Sequence, residues 1–264
     1  MNFRICISLF LLCCLLQPST AQKPVTKPKE VTVKAMTYNT YSGRKQGIDK
    51  IAEVIKKENP DIVSLQEIER NTEINPWDTP KKLSELTGMK YYYFAHALDI
   101  PTGGDYGNVI LSKYPVSEEK SFKLSVLKEG DYARSFGYVK VVKEGKEFYF
   151  ATTHLDHKYE DAARLKQVDE ILACVEHLDK PVILGGDLNS RRGSATMAAF
   201  QKYFTVNCLS DGAPWTVPVP SPAYACDWLI YAPNEAFTVK AYNVCYWADK
   251  ESDHYPVVAT YLIK

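Results

Sequence analysis

The stretch PVILGGDLNS (181–190) begins as an unbroken apolar run, Val182, Ile183 and Leu184, is interrupted by two glycines, and then carries Asp187 and Asn189 one residue apart. If the backbone stays extended, this spacing turns the carboxylate and the carboxamide to one side and Leu188 to the other. Polar residues also stand at the ends of other apolar runs: Asn39 after AMTY, Glu67 after IVSLQ and His154 after FYFATT. Asp227 opens DWLIY, and Asp253 and His254 immediately precede YPVVATYLI. Each alone has an ordinary explanation, since Asn and Asp cap turns through bonds to backbone. Together they have the makings of a hydrolytic centre.

Asn39, Glu67 and Asp253 offer oxygen ligands, the preference of a hard divalent cation such as Mg²⁺, with Mn²⁺ or Ca²⁺ as alternatives. No clustered cysteines or paired histidines suggest zinc. Hydrolysis of a phosphate ester also needs an oriented water, an acid or base, and donors for the charge that develops on phosphorus. Asp187 could align or deprotonate the water, and Asn189 could donate to a phosphoryl oxygen. His154 and His254 could stabilise charge or move protons, with Asp227 a candidate to orient His254. The base is left open between His254 and Asp187.

The elements that must position these groups are readable in outline. EVTVKAMTYNT (30–40) and DIVSLQEI (61–68) read as strands on either side of a helix whose stripe is Ile48, Ile51, Ala52 and Ile55. A second helix spans 79–88, with Thr79 as its cap, Pro80 in the first turn and Gly88 at its end. Strands are expected at 91–98 and 107–112, and a hairpin over 135–142 and 146–155 turns at KEGK. A helix follows over about 160–177, then the 181–186 strand, a short helix near 194–202, an irregular proline-rich stretch at 213–225, and strands at 226–232 and 255–263. Gly185 and Gly186 would let the backbone pass close to the site. This mixture of hairpins and helical crossovers predicts an α/β sandwich with mixed sheets.

The first twenty-one residues stand apart. Arg4, the apolar stretch from Ile5 to Leu16 and the small residues ending at Ala21 read as a secretory signal peptide, too short to span a bilayer comfortably. Lipid attachment at Cys13 or Cys14 is disfavoured because no small residue precedes either. Residues 22–30 read as a polar tether, and 31–264 as one domain without an internal linker. The expected location is therefore secreted or periplasmic, with no transmembrane segment in the mature chain. The whole chain has 32 bases and 32 acids, and losing Arg4 with the leader leaves 31 and 32. That balance lacks the basic excess typical of duplex-DNA binding. Cys174, Cys208, Cys226 and Cys245 remain, enough for one or two disulfides, and Cys174 falls on a predicted helix as a buried thiol.

MTYNTYSG (36–43), DIVSLQEI (61–68), YGNVILSKYPV (106–116), TTHLD (152–156), GGDLNS (185–190), CDWLIY (226–231) and SDHYPVVA (252–259) stand in the order found in the endonuclease/exonuclease/phosphatase superfamily, the DNase I-like metal-dependent phosphoesterases. The resemblance runs from about residue 31 to the C-terminus. It implies a four-layered α/β sandwich, with two mixed sheets face to face and helices outside. It implies Asn39, Glu67 and Asp253 at the metal, His154 on the scissile phosphate, Asp187 and Asn189 orienting nucleophile and phosphate, and His254 paired with an aspartate, for which Asp227 is the candidate. Arg134, in YARSFGYVKV, resembles a phosphate-binding arginine, and Thr216 a threonine near metal or phosphate. Arg164 and Gln167 could reach back to the catalytic strand, and Arg191-Arg192 form a small basic patch beside GDLNS. The expected protein is a monomer without an obligate protein partner, acting on a lipid, sugar, nucleotide or nucleic-acid phosphate ester. The alternatives are an extracellular nuclease, a sphingomyelinase-like phospholipid phosphodiesterase and a non-catalytic binding protein on the same fold.

Overall fold

The computed structural model describes residues 29–158, 160–206 and 214–264; the proposed leader, most of the tether and Cys208 lie outside the described residues. In chain order the elements are β1 (Val31–Asn39), α1 (Ile48–Glu58), β2 (Ile62–Arg70), α2 (Thr79–Thr87), β3 (Tyr91–Asp99), β4 (Asp105–Ser112), β5 (Val116–Leu124) and β6 (Arg134–Lys143). They continue with β7 (Lys146–His154), α3 (Ala162–Val175), β8 (Val182–Asp187), α4 (Ala195–Phe200), β9 (Asp227–Ala232), β10 (Phe237–Val244) and β11 (Val257–Ile263). One sheet has the order β10-β11-β1-β2-β4-β3 and the other β5-β6-β7-β8-β9. Each holds one parallel pair, β1 with β2 and β7 with β8, joined by the crossover helices α1 and α3.

Burial explains the layers. Val33, Ala35, Phe148, Phe150, Ile183, Leu229, Val257 and Tyr261 form the core between the sheets. Outside the six-stranded sheet, Ile48, Ile51, Ala52, Val54 and Ile55 of α1 pack on Met36, Val63 and Leu65. Outside the five-stranded sheet, Val168, Ile171 and Val175 of α3 and Met197 and Phe200 of α4 pack on Tyr149, Leu184 and Ile230. Each large aliphatic side chain buried in this way contributes roughly 1.5–3 kcal/mol. The result is the four-layered α/β sandwich with mixed sheets. β8 is buried along its whole length, as its continuous VIL run requires.

Three local departures have physical causes. Asp78, not Thr79, caps α2: its carboxylate accepts from Lys81 N at 3.3 Å, while Thr79 turns its hydroxyl inward to donate to the Glu69 carbonyl at 2.5 Å. β5 has no apolar alternation, because seven of its nine residues are exposed on a sheet edge, and the charges of SEEKSFK suit that position. β10 is an edge strand of the six-stranded sheet, and a register shift between Val239 and Ala241 breaks its pattern. Cys174, Cys226 and Cys245 are free thiols, with Cys174 only half-buried.

Candidate active site

Strand register assembles the polar residues. In the five-stranded sheet His154 lies opposite Asp187 and Asp187 opposite Asp227, so the ends of β7 and β8 and the start of β9 set three groups in a row. In the facing sheet Asn39 ends β1 beside Gln66 of β2. Glu67 is aimed by a bulge: the β2–β4 register shifts between Leu65 and Ile68, and Glu67 itself sits at φ 58°. The bulge breaks the alternation of the strand at Glu67, and the left-handed backbone there carries a strain cost. The glycines before Asp187 serve the sandwich. A Cβ on Gly185 would meet Ser64 Cβ of the facing sheet at 2.9 Å, and one on Gly186 would meet the Thr153 carbonyl at 2.5 Å. They let neighbouring strands close in, and are not a passage for substrate. Beyond them the chain does not stay extended. Asn189 is left-handed at φ 46°, its N–H donates to Asp187 Oδ1 at 2.9 Å, and Leu188 is buried in the core.

Asn39 lies at the join of the two sheets. Its Oδ1 accepts from Tyr41 N at 3.1 Å, which sets the amide orientation and turns Nδ2 toward Glu67 Oε1 at 3.1 Å and Asp187 Oδ2 at 3.0 Å. Asn39 thus holds two carboxylates through its N–H groups, with its Oδ1 turned to the Tyr41 N–H. Burial raises the Glu67 carboxyl above its ordinary range against the Asn39 bond, and the charges of Asp187 and Asp253 raise it further. Burial and Asp227 likewise raise Asp187, opposed by His254.

Across the cleft the charge reverses. Arg134, 4% exposed, donates from Nη1 to His154 Nδ1 at 3.0 Å and to the Tyr106 hydroxyl at 3.5 Å, and from Nη2 to His157 Nδ1 at 3.1 Å. All three partners are uncharged acceptors, Nε has no partner, and Arg134 forms no ion pair among the described residues. Because a guanidinium only donates, His154 Nδ1 is an acceptor and its proton is on Nε2, 3.3 Å from Asp187 Oδ2. Burial, then the positive charges of Arg134 and His254, push the His154 pKa well below that of a free imidazole.

His254 is held differently. Its Nδ1 lies 2.9 Å from Asp227 Oδ2, and its Nε2 lies 3.8 Å from Asp187 Oδ2. Burial disfavours its charge, but Asp227 and Asp187 outweigh it and raise the pKa to about 10. Thr216 is wholly buried, and its hydroxyl donates to Asp227 Oδ2, so it steadies the aspartate behind His254. It does not line the cleft itself. Asp253 is half-buried and acts on Glu67 through its charge, while the neighbouring Ser252 hydroxyl donates to the Asn39 carbonyl at 2.7 Å.

The resulting cleft has a volume of about 360 Å³ and is lined by Glu67, Arg134, His154, Asp187, Asn189 and His254 together with Arg44, Glu69, Tyr106, Tyr132 and His157. His157, Tyr106 and Ser252 were not singled out in the sequence. The spacing of His154 and His157 in THLDH was a usable signal for the first; nothing local distinguishes Tyr106. Arg164 and Gln167 reach the loop that follows β7, not the strand itself. Gln167 Oε1 accepts from Asp156 N at 2.9 Å and Arg164 Nη1 donates to the Asp156 carbonyl at 3.0 Å, bracing the loop that carries His157. Asn189 commits one amide hydrogen to the Leu155 carbonyl at 3.0 Å and keeps the other.

Two places in the cleft could hold a cation. Asp187, Cys226, Asp227 and His254 form a possible metal-binding cluster, with ligand atoms within 4.8 Å of one another. Its donors include a thiol, and its His254–Asp227 and Thr216–Asp227 bonds already join the members, which suits a hydrogen-bond relay better than a hard cation. Glu67 opens on the cleft, carries like-charged neighbours and supplies oxygen, the donor set that a hard divalent ion fits.

The state of His154 has a stability consequence. An unfolded histidine titrates near about 6.5. Below that pH the unfolded chain takes up a proton that folded His154 refuses, so the stability contributed by the neutral ring falls as pH falls. In urea titrations from about pH 7 to 5, the wild type should lose stability more steeply than His154→Asn, by at most about 1.4 kcal/mol per pH unit. Parallel curves would contradict the neutral assignment.

The model of the endonuclease/exonuclease/phosphatase family matches residues 36–254. The chain is 25% identical over 252 residues to the uncharacterized protein YbhP of Escherichia coli K12, covering 88% of this chain and 96% of that protein. It is 23% identical to the sphingomyelinase C of Bacillus cereus, covering 93% of each. The fold is shared with an endonuclease/exonuclease/phosphatase crystal structure from Beutenbergia cavernae, at a TM-score of 0.76 and 23% identity over 88% of this chain and 72% of that one.

Proposed function

Because the chain belongs to the endonuclease/exonuclease/phosphatase family, we propose that it is a hydrolase of phosphate ester bonds, dependent on a divalent cation and acting outside the cytoplasm. The observation that carries this reading is the polarity of the cleft. Carboxylates gather on the Glu67 side, Asp187 buried and Glu67 and Asp253 half-buried, and a buried guanidinium with only neutral partners stands on the Arg134 side. An unpaired buried charge is costly unless an anion completes it. A phosphate ester between a cation at Glu67 and the Arg134 guanidinium satisfies both sides.

Glu67, assisted by the charge of Asp253, would hold the cation, Mg²⁺ by the hardness of its donors, with Mn²⁺ and Ca²⁺ as substitutes. Such an ion, when bound, supplies Lewis-acid polarisation of the phosphoryl group. Asn39 keeps Glu67 and Asp187 in register. Asp187, oriented by Asn39, His154 and Asn189, receives a proton of the attacking water as its oxygen bonds to phosphorus and the bond to the leaving alcohol breaks. Arg134, His154 Nε2–H and the remaining Asn189 amide hydrogen stabilise the growing phosphoryl charge. His254, held between Asp227 and Asp187, adds positive charge there and can return a proton to the departing oxygen.

Among the described residues no helix is long and apolar enough to cross a membrane. The extracytoplasmic assignment rests on the leader-like residues 1–21. A phospholipid phosphodiesterase is the second reading. Exposed Trp77, Trp215 and Tyr132 favour it, with Tyr132 on the cleft itself.

The test is a panel of nucleic acid, sphingomyelin vesicles, inositol phosphates and sugar phosphates, assayed with Mg²⁺, Mn²⁺ and Ca²⁺ and again after chelation. Turnover of at least one ester is expected, lost on chelation and restored by a divalent ion. Release of choline phosphate from vesicles would select the lipid reading. No turnover with any ion would return the chain to the class of binding proteins.

A further inference from the structure

A second hollow, of about 400 Å³, adjoins the catalytic cleft, and Asn189 and His157 line both. Its other walls carry Lys158, Asp161, Arg164, Arg191 and Tyr224, three cations against one carboxylate. That carboxylate is engaged: Asp161 Oδ1 accepts from Arg164 Nη2 and from Thr196 Oγ1, both at 2.8 Å. Lys158 is drawn to Asp131, outside the hollow. Arg191 is different. Its guanidinium lies over the Tyr224 ring, 4.2 Å from the centroid, and forms no ion pair among the described residues. Stacking of this kind holds the charge in place while leaving its in-plane donors available. A second unspent group lies beside it. Ser190 is 4% exposed, lines the hollow, and its hydroxyl has no hydrogen-bond partner.

We propose that this hollow receives a second anionic group of the substrate, a phosphate or a carboxylate, so that the preferred ester carries negative charge at the scissile position and again beyond Asn189. The proposal rests on the reading of the cleft as a phosphoesterase site. The wall between the two hollows is tied to the scissile-phosphate side, because His157 accepts from Arg134 Nη2 at 3.1 Å. A substrate spanning the wall would therefore be gripped by Arg134 at one end and Arg191 at the other. Arg191 acts on selection of the substrate and not on the bond that is cut.

Calorimetric titration of the wild type with a series of alkanediol bisphosphates, against alkyl monophosphates of matching length, reads the second group directly. Turnover of bis(p-nitrophenyl) phosphate with Mg²⁺ is followed in the same preparation. The best bisphosphate is expected to bind about tenfold or more tightly than its monophosphate, the scale of a hydrogen bond to a charged group. Arg191→Ala should bring that ratio close to one, and Arg191→Glu should invert it. Equal binding of both ligands by the wild type, or a ratio preserved in Arg191→Glu, would overturn the second subsite. Loss of reporter turnover in the wild type would instead strike the phosphoesterase reading, and the binding ratio would still decide the subsite.

Discussion

Glu67→Gln is expected to lower turnover by roughly a thousandfold, about 4 kcal/mol of transition-state stabilisation, the scale of a lost Lewis acid. The same substitution should raise the melting temperature of the chelated protein. In the fold Glu67 is half-buried and sits within the field of Asp187 and Asp253, so its ionised form opposes folding until a cation offsets it. Its neutral isostere keeps the side chain beside Asn39 and removes the repulsion. A divalent ion should reverse the order. At about a hundred times its dissociation constant it would stabilise the wild type by about 2.7 kcal/mol, and the variant far less. Scanning calorimetry with and without Mg²⁺, alongside kcat, checks both halves. Equal stabilisation of the two proteins by Mg²⁺ would move the cation away from Glu67.

Arg134 should give the second large effect. Arg134→Met is expected to lower kcat/KM by roughly a hundred- to a thousandfold, the cost of removing a positioned donor to a developing oxyanion. Arg134→Lys should recover little of it. A single ammonium cannot bond His154 Nδ1 and His157 Nδ1 from one planar fork and still face the phosphate. Steady-state kinetics on the best ester of the panel measure this. Near-wild-type kcat/KM in Arg134→Lys would show that the guanidinium geometry is unimportant and only its charge counts.

Much of this arrangement was legible in the chain because the groups lie where apolar periodicity stops. His154, Asp187 and Asp227 each terminate or begin a buried strand, and their side-by-side register follows once β7, β8 and β9 pair in order. The helices α1 and α3 were equally visible, since their stripes have one consistent face. Tertiary partners hid the rest. Asn39 stands at a run end like the others and Thr216 in the proline-rich stretch, but their bonds to Glu67, Asp187 and Asp227 depend on how separate segments come together. His157 acquires meaning only when β6 brings Arg134 between it and His154. The strands β5 and β10 escaped because edge positions relax the alternation that marks a half-buried strand. The glycines at 185 and 186 were read for the site when their constraint comes from the facing sheet and the neighbouring strand.

A divalent cation held by Glu67 and a phosphate held by Arg134 are expected to share one cleft. Titrating Mg²⁺ into chelator-stripped wild-type protein, while following both ion binding and phosphodiester turnover in the same sample, tests it most directly. Turnover should start near zero and rise in proportion to occupancy of a single class of site. Full turnover by the stripped protein, or Mg²⁺ binding that saturates without restoring it, would separate the cation from the reaction.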